Sequence, residues 1–184
     1  MGLRENKKAK TRKLISDIAR DLFIERGYAA VTVAEIAEKA EVAVTTLFNY
    51  FPTKEAIIFD LEDEIDSDIL ATIRNRQAGQ SILDALHNYF LTGKLINPLD
   101  QKIFADFMTL VRSSIELTSY FRRMWDRYEQ TLATELQNET DANQIEAECM
   151  ARLIFEGVRF ACTSSSPVDA LNQTFSVLKN GWNK

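Results

Sequence analysis

The sequence predicts an all-α fold in two parts, a three-helix head followed by a longer helical body. Three observations predict it. Apolar residues recur at three- and four-residue spacing along most of the 184-residue chain, the period of a helix with one buried face. Thr32 and Glu35 stand at capping-box spacing at the start of a short helix–turn–helix pattern. The charge is also divided: residues 1–54 hold ten Lys/Arg against seven Asp/Glu, and residues 55–184 hold twelve against twenty. A basic head on an acidic body is the electrostatic pattern of a module that meets a polyanion with one end only.

Residues 1–10 are charged and have little to bury, so they are expected to lack fixed structure. Helix one is expected from Thr11 to Arg26, with Leu14, Ile15, Ile18, Ala19, Leu22 and Phe23 as one wide apolar face and Gly27 as its stop. After the Thr32 cap, Ile36, Ala37 and Ala40 point inward. Glu41-Val42-Ala43 makes a turn. A second short helix, Val44 to Tyr50, is expected to bury Leu47, Phe48 and Phe51. It presents Val44, Thr45, Thr46, Asn49 and Tyr50. That outward set carries no acid, unlike a surface made only for solubility. Two short crossing helices with such a face fit a DNA major groove. Thr45, Thr46 and Asn49 are the candidates for base edges, and Thr32, Tyr50 and Lys54 for phosphates. Lys7, Lys8, Lys10 and Arg12 can add phosphate or minor-groove contacts. Pro52 ends the head, so the domains are expected at 1–52 and 53–184.

The residues Arg12, Leu14-Ile15, Ala19, Leu22-Phe23, Gly27-Tyr28, Val31-Thr32-Val33, Ile36-Ala37, Ala40, Val42, Thr46-Leu47-Phe48, Tyr50-Phe51 and Lys54-Glu55 together resemble the N-terminal domain of the TetR family of transcriptional regulators. The resemblance covers the first third of the chain. The family usually has Gly at the position of Glu41, Ser at that of Ala43 and Tyr at that of Phe48. The Ser cap and the Tyr phosphate contact are therefore missing here.

In the body, a long helix is expected from Thr53 to Ala78, with Ile57, Ile58, Leu61, Ile65, Ile69 and Ile73 inward. Thr53 can cap it. Lys54 in its first turn opposes the helix dipole, so no local stabilising role is expected of Lys54; a phosphate bound there reconciles the two. The other face is a run of acids, Asp60 to Asp68, without the Gly and Glu that an EF-hand requires, and reads as a solvated face. Helices from Ser81 to Leu95, from Leu99 to Arg112 after an Asn97-Pro98 turn, and from Tyr120 to Asn138 follow, with a kink or restart at 113–119. The last two are expected at Asn143–Cys162 and Pro167–Trp182, the latter opened by a Ser166 cap and an Asp169 capping-box acid. The final helix carries a 3-4 seam, Val168, Leu171, Phe175, Leu178 and Trp182.

The family resemblance gives these helices roles. It implies a small-molecule cavity in the body, for which Phe104, Phe107, Met108, Met124, Trp125 and Tyr128 are the lining candidates. Their character suits an apolar or aromatic effector. It also implies a homodimer through the last two helices and hence a near-palindromic double-stranded DNA operator. A DNA-binding architectural or cell-cycle factor without an inducer is the alternative on the same fold.

Other classes find little support. There is no nucleophile elbow, P-loop, dinucleotide fingerprint or metal-ligand cluster, and His87 is the only histidine, so neither an enzyme nor a bound metal or cofactor is expected. No run approaches a membrane span, and the basic start leads into an amphipathic helix rather than a signal peptide. Cys149 and Cys162 fall about 20 Å apart on one helix, too far to bridge. A cytoplasmic setting is expected.

Overall fold

The computed structural model describes residues 2–92 and 101–182, with side chains for these except residues 3, 92 and 101–104. Among the described residues there are ten helices and no strand: α1 (Leu3–Arg26), α2 (Val33–Lys39), α3 (Val44–Tyr50), α4 (Lys54–Ile58), α5 (Glu62–Arg74), α6 (Ile82–Thr92), α7 (Gln101–Arg112), α8 (Ile115–Glu139), α9 (Gln144–Thr163) and α10 (Pro167–Asn180). They form two compact units. One comprises Met1–Glu62 and Asp106–Phe121; the other comprises Asp63–Ala105 and Arg122–Lys184.

In the first unit α1 packs on α2 and α4, and α2 on α3. Ile15, Ala19, Leu22 and Phe23 of α1 are buried against Ile36, Ala37, Leu47, Phe51 and Ile57. Helix α1 starts at Leu3, eight residues before the expected Thr11, so residues 3–10 are helical rather than unstructured. The Glu5 carboxylate accepts from the Gly2 N–H at 2.9 Å, and the Arg, Lys and Ala that follow are strong helix formers. Gly27 ends α1 with φ 80, a sign of φ that other residues rarely adopt.

The long helix expected from Thr53 to Ala78 is two helices. Thr53 caps α4, accepting from the Ala56 N–H at 3.2 Å. The chain then turns at Phe59, where the Glu62 N–H reaches the Phe59 carbonyl at 3.0 Å. At this turn the Phe59 ring is not left to solvent. It is instead buried, stacked on Tyr120 at 5.0 Å, edge-on to Phe107 at 5.7 Å and tilted against Phe121 at 6.0 Å. Helix α8 begins at Ile115, five residues before the expected start. Ser114 accepts from the Leu117 N–H at 3.3 Å, and the Thr118 hydroxyl returns to the Val111 carbonyl at 3.0 Å. The expected Asn97-Pro98 turn lies outside the described residues.

In the second unit α10 packs on α9 and α6. Arg74 grips the buried Glu135 carboxylate with two bonds of 2.6 and 2.7 Å, and Arg76 holds Glu139 at 2.7 Å, tying α5 and its end to α8. Asn143 caps α9 in a capping box with Glu146. The Ser166 side chain makes no cap bond, contrary to expectation. Its backbone sits at φ −132, ψ 75 rather than in the extended form that aims a cap hydroxyl at the helix. Helix α10 ends at Asn180, so Trp182 lies past it and is exposed, while Leu171 and Phe175 of the predicted seam are buried within this unit.

Where α9 meets α10 the backbones come close. A Cβ on Gly157 would overlap the Thr174 methyl and lie 3.3 Å from that residue's Cβ and Oγ1. Overpacking of this kind costs about 1–3 kcal/mol, against about 1 kcal/mol regained in helix propensity. Gly157→Ala is expected to lower stability by about 1 kcal/mol in urea unfolding, and adding Thr174→Ala is expected to recover it.

His87 sits half-buried on α6, stacked on Phe175 at 4.7 Å, with Nε2 2.9 Å from the Asn172 side-chain oxygen. Asp84 and Lys179, themselves paired at 2.6 Å, are the charges that act on it. Burial holds the imidazole below its ordinary value of 6.5. A depressed value in the folded state means that stability present above pH 6.5 is lost as the pH falls. Urea unfolding between pH 7.5 and 5 checks this: the native chain is expected to lose stability relative to His87→Gln below about pH 6.5.

Candidate nucleic-acid interface

The candidate face is built on α2 and α3. Thr32 caps α2 as predicted: its Oγ1 accepts from the Glu35 N–H at 3.2 Å, and its own N–H donates to the Glu35 carboxylate at 2.8 Å. The Thr32 N–H, then the Arg26 guanidinium, hold the Glu35 carboxyl down to about 2. Helix α2 ends in a tight turn, with the Val42 N–H on the Ala37 carbonyl at 3.0 Å. The turn places Glu41 at φ 53, the left-handed region that disfavours a residue with a Cβ. Ala43 then starts α3 in extended geometry, φ −68 and ψ 147, with no side-chain cap.

Helix α3 turns Leu47 and Phe51 fully inward. Val44, Thr45 and Asn49 are exposed together on its other side, and Thr46 and Tyr50 are half-buried at its edges. Phe48 corrects the sequence expectation. It is 45% exposed, because Leu47 and Phe51 already fill the helix's inward side and Phe48 lies one residue round on the stripe that Val44 begins. Hydrophobicity alone assigned it to the core; its four-residue spacing from Val44 was the signal that placed it outside.

Two cations have work inside the unit. Arg12 donates to the carbonyls of Tyr50 and Asp60, each at 2.9 Å, and lies 4.4 Å over the Phe51 ring. Its guanidinium thus closes the ends of α3 and α4 rather than reaching outward. Lys54, expected to have no local role, donates to the Tyr28 carbonyl at 2.6 Å with its ammonium 4.0 Å over the Tyr28 ring. Its long side chain folds back over the core edge, so the dipole argument does not decide its place. The Tyr28 hydroxyl in turn donates to Glu55 at 2.5 Å. Lys7, Lys8, Lys10 and Lys39 are exposed.

The structure does not gather the six predicted cavity residues in one unit. Phe107 and Met108 are half-buried in the first. Met124, Trp125 and Tyr128 are buried in the second, where Trp125 and Tyr128 pack against Phe155 at 5.5 and 5.9 Å. The Phe104 side chain lies outside the described residues. The second unit has a cavity of about 570 Å³ with Ile82, Leu83, Leu136, Ala147 and Met150 in its wall, and none of the five candidates with described side chains lines it.

Residues 15–61 match the family model described as bacterial regulatory proteins, tetR family. Over 138 residues the chain is 31% identical to the HTH-type transcriptional regulator TcmR of Streptomyces glaucescens, covering 72% of this chain but only 61% of that regulator's length. GusR of Salmonella enterica has the same fold, with a TM-score of 0.62 at 18% identity over 94% of this chain and 95% of its own. So does the FadR repressor of Thermus thermophilus, determined in complex with lauroyl-CoA, with a TM-score of 0.57 at 20% identity over 94% and 95% of the two chains.

The turn and cap of α3 carry strain that sequence changes can remove. Ala43→Ser supplies an oxygen for the orphan N–H groups of α3 and is expected to add about 1 kcal/mol. Glu41→Gly relieves the left-handed strain and is expected to add up to about 1 kcal/mol after its backbone-entropy cost. Thermal unfolding of each variant checks the sign.

Proposed function

We propose that the chain is a DNA-binding transcriptional regulator of the TetR type, a reading supported by the match of residues 15–61 to the tetR-family model and by the 31% identity to the Streptomyces glaucescens regulator. It acts as a dimeric repressor in the cytoplasm and leaves its operator when a small apolar or aromatic ligand binds the body. One observation carries the DNA half of this reading: α3 presents an exposed face without a single charged residue, on a head with an excess of cations. Thr45, Thr46 and Asn49 read base edges, Asn49 being able to pair with adenine through two hydrogen bonds. Thr32, Tyr50 and Lys54 set the register on phosphates. Lys54 keeps its bond to Tyr28 while doing so, which fixes where its charge stands.

Helix α9 supports the dimer. One of its faces is buried, with Ala147, Ala151, Ile154, Phe155, Val158 and Ala161. A second apolar stripe, Ile145, Leu153 and Phe160, is 55–72% exposed, and Cys149 lies along it. A two-fold partner covers that stripe and sets two α3 helices against successive major grooves, about 34–36 Å apart or a multiple of it. Such a dimer requires a near-palindromic operator. For the ligand, the cavity of the second unit offers an apolar wall in Ile82, Leu83, Leu136, Ala147 and Met150. The acyl chain bound by the Thermus thermophilus relative is a ligand of the same apolar character. To release DNA the ligand must bind the DNA-incompetent form more tightly, typically by about 1–3 kcal/mol.

Fluorescence anisotropy on duplexes selected from a random pool tests the reading. Binding is expected to survive random competitor and to weaken steeply with salt. The Thr46→Ala, Asn49→Ala double variant is expected to lose at least about tenfold in affinity. Binding that ignores sequence, or that the double variant leaves intact, rejects the assigned face. Leu153→Glu, at an exposed position, is expected to give a folded monomer in sedimentation and to lose operator binding with it. An operator complex unmoved by acyl-CoA thioesters and by aromatic metabolites rejects the ligand half.

A further inference from the structure

The exposed ridge on α3 has a chemistry that the polar contacts do not use. Val44 is 40% exposed and Phe48 45% exposed. They stand four residues apart on one side of the helix, where their side chains lie one above the other. The core does not need them, since Leu47 and Phe51 are fully buried on the opposite side. Phe48 has no hydroxyl, so it cannot hold a phosphate as a tyrosine does. No charged residue of α3 softens the ridge, and Thr45 and Asn49, its flanking neighbours, are exposed beside it. A surface of this kind matches a partner whose own apolar groups stand among hydrogen-bonding edges.

Resting on the DNA reading above, we propose that the Val44–Phe48 ridge reads thymine methyl groups. The operator half-sites then carry thymine under the ridge. The C5-methyl of thymine is the one apolar group that the four ordinary base pairs present in the major groove. It lies beside the adenine N6 and N7 positions that Asn49 is suited to grip. Ridge and amide together select an A·T-containing step: Asn49 supplies the hydrogen bonds and Phe48 with Val44 supplies the methyl contact. Phe48 is thereby a specificity-determining residue and not a substitute phosphate anchor.

The test replaces thymidine by deoxyuridine, one position at a time, in the duplex selected with the full-length protein. This removes the methyl and leaves every hydrogen-bonding group in place. At one or two positions in each half-site the loss is expected to be about fourfold per methyl. Phe48→Ala, which touches an exposed side chain and is expected to melt like the parent, should bind the thymidine operator more weakly. It should then be indifferent to deoxyuridine at those same positions. Undiminished affinity for the deoxyuridine operator overturns the proposal and leaves the DNA reading standing. So does a deoxyuridine penalty that persists unchanged in both Phe48→Ala and Val44→Ala, or a selected operator without thymine in its half-sites. Failure to select any preferred duplex rejects the DNA reading itself.

Discussion

The placement of α3 depends on one guanidinium. Arg12 reaches from α1 to the Tyr50 carbonyl at the end of α3 and to the Asp60 carbonyl beyond α4, and covers the Phe51 ring. The Tyr50 carbonyl ends α3 and the Asp60 carbonyl lies in the turn after α4, places where the helical ladder supplies no donor. Charge-assisted bonds to them are stronger than neutral ones, and the planar group can serve two acceptors at once. The ring beneath adds a cation–π contact. A seven-residue helix is too short to hold itself in place. Its orientation comes from Leu47 and Phe51 in the core and from Arg12 at its exit, and every side chain on its outer face inherits that orientation.

Much of the head was legible in the sequence because its signals are local. The Thr32–Glu35 box, the Gly27 stop, the Ile36/Ala37/Ala40 stripe and the Thr53 cap each need only three or four neighbouring residues, and each stands where the pattern placed it. The misreadings arose where packing or backbone geometry, near or distant, decides the outcome. Phe48 is outside because Leu47 and Phe51 occupy the inward side. Arg12 and Lys54 point inward because carbonyls 38 and 26 residues away accept from them. The break at Phe59 follows from rings of α7 and α8, which no local period reveals. The Ser166 cap failed on backbone geometry alone.

The second unit draws its order from a different source. Its helices are fastened by side chains that span long sequence separations: Arg74 to Glu135, Arg76 to Glu139, Asp84 to Lys179. Glu135 is buried, and a carboxylate there is tolerable only with the two bonds from Arg74. Helix α9 is buried on one side by α10, with Gly157 at their nearest approach, and keeps apolar residues on another side. Two apolar faces on one helix are more than a single chain needs.

The turn at Phe59 changes how motion travels through the first unit. A continuous rod passes on rotation and bending alike along its whole length. At Phe59 the helix is broken, and that ring is clamped by rings from α7 and α8. The turn that follows α4 is held by the side-to-side fit of four aromatic rings, and close-packed contacts are bistable rather than continuously deformable. Close-packed rings of this kind favour one defined setting over gradual drift.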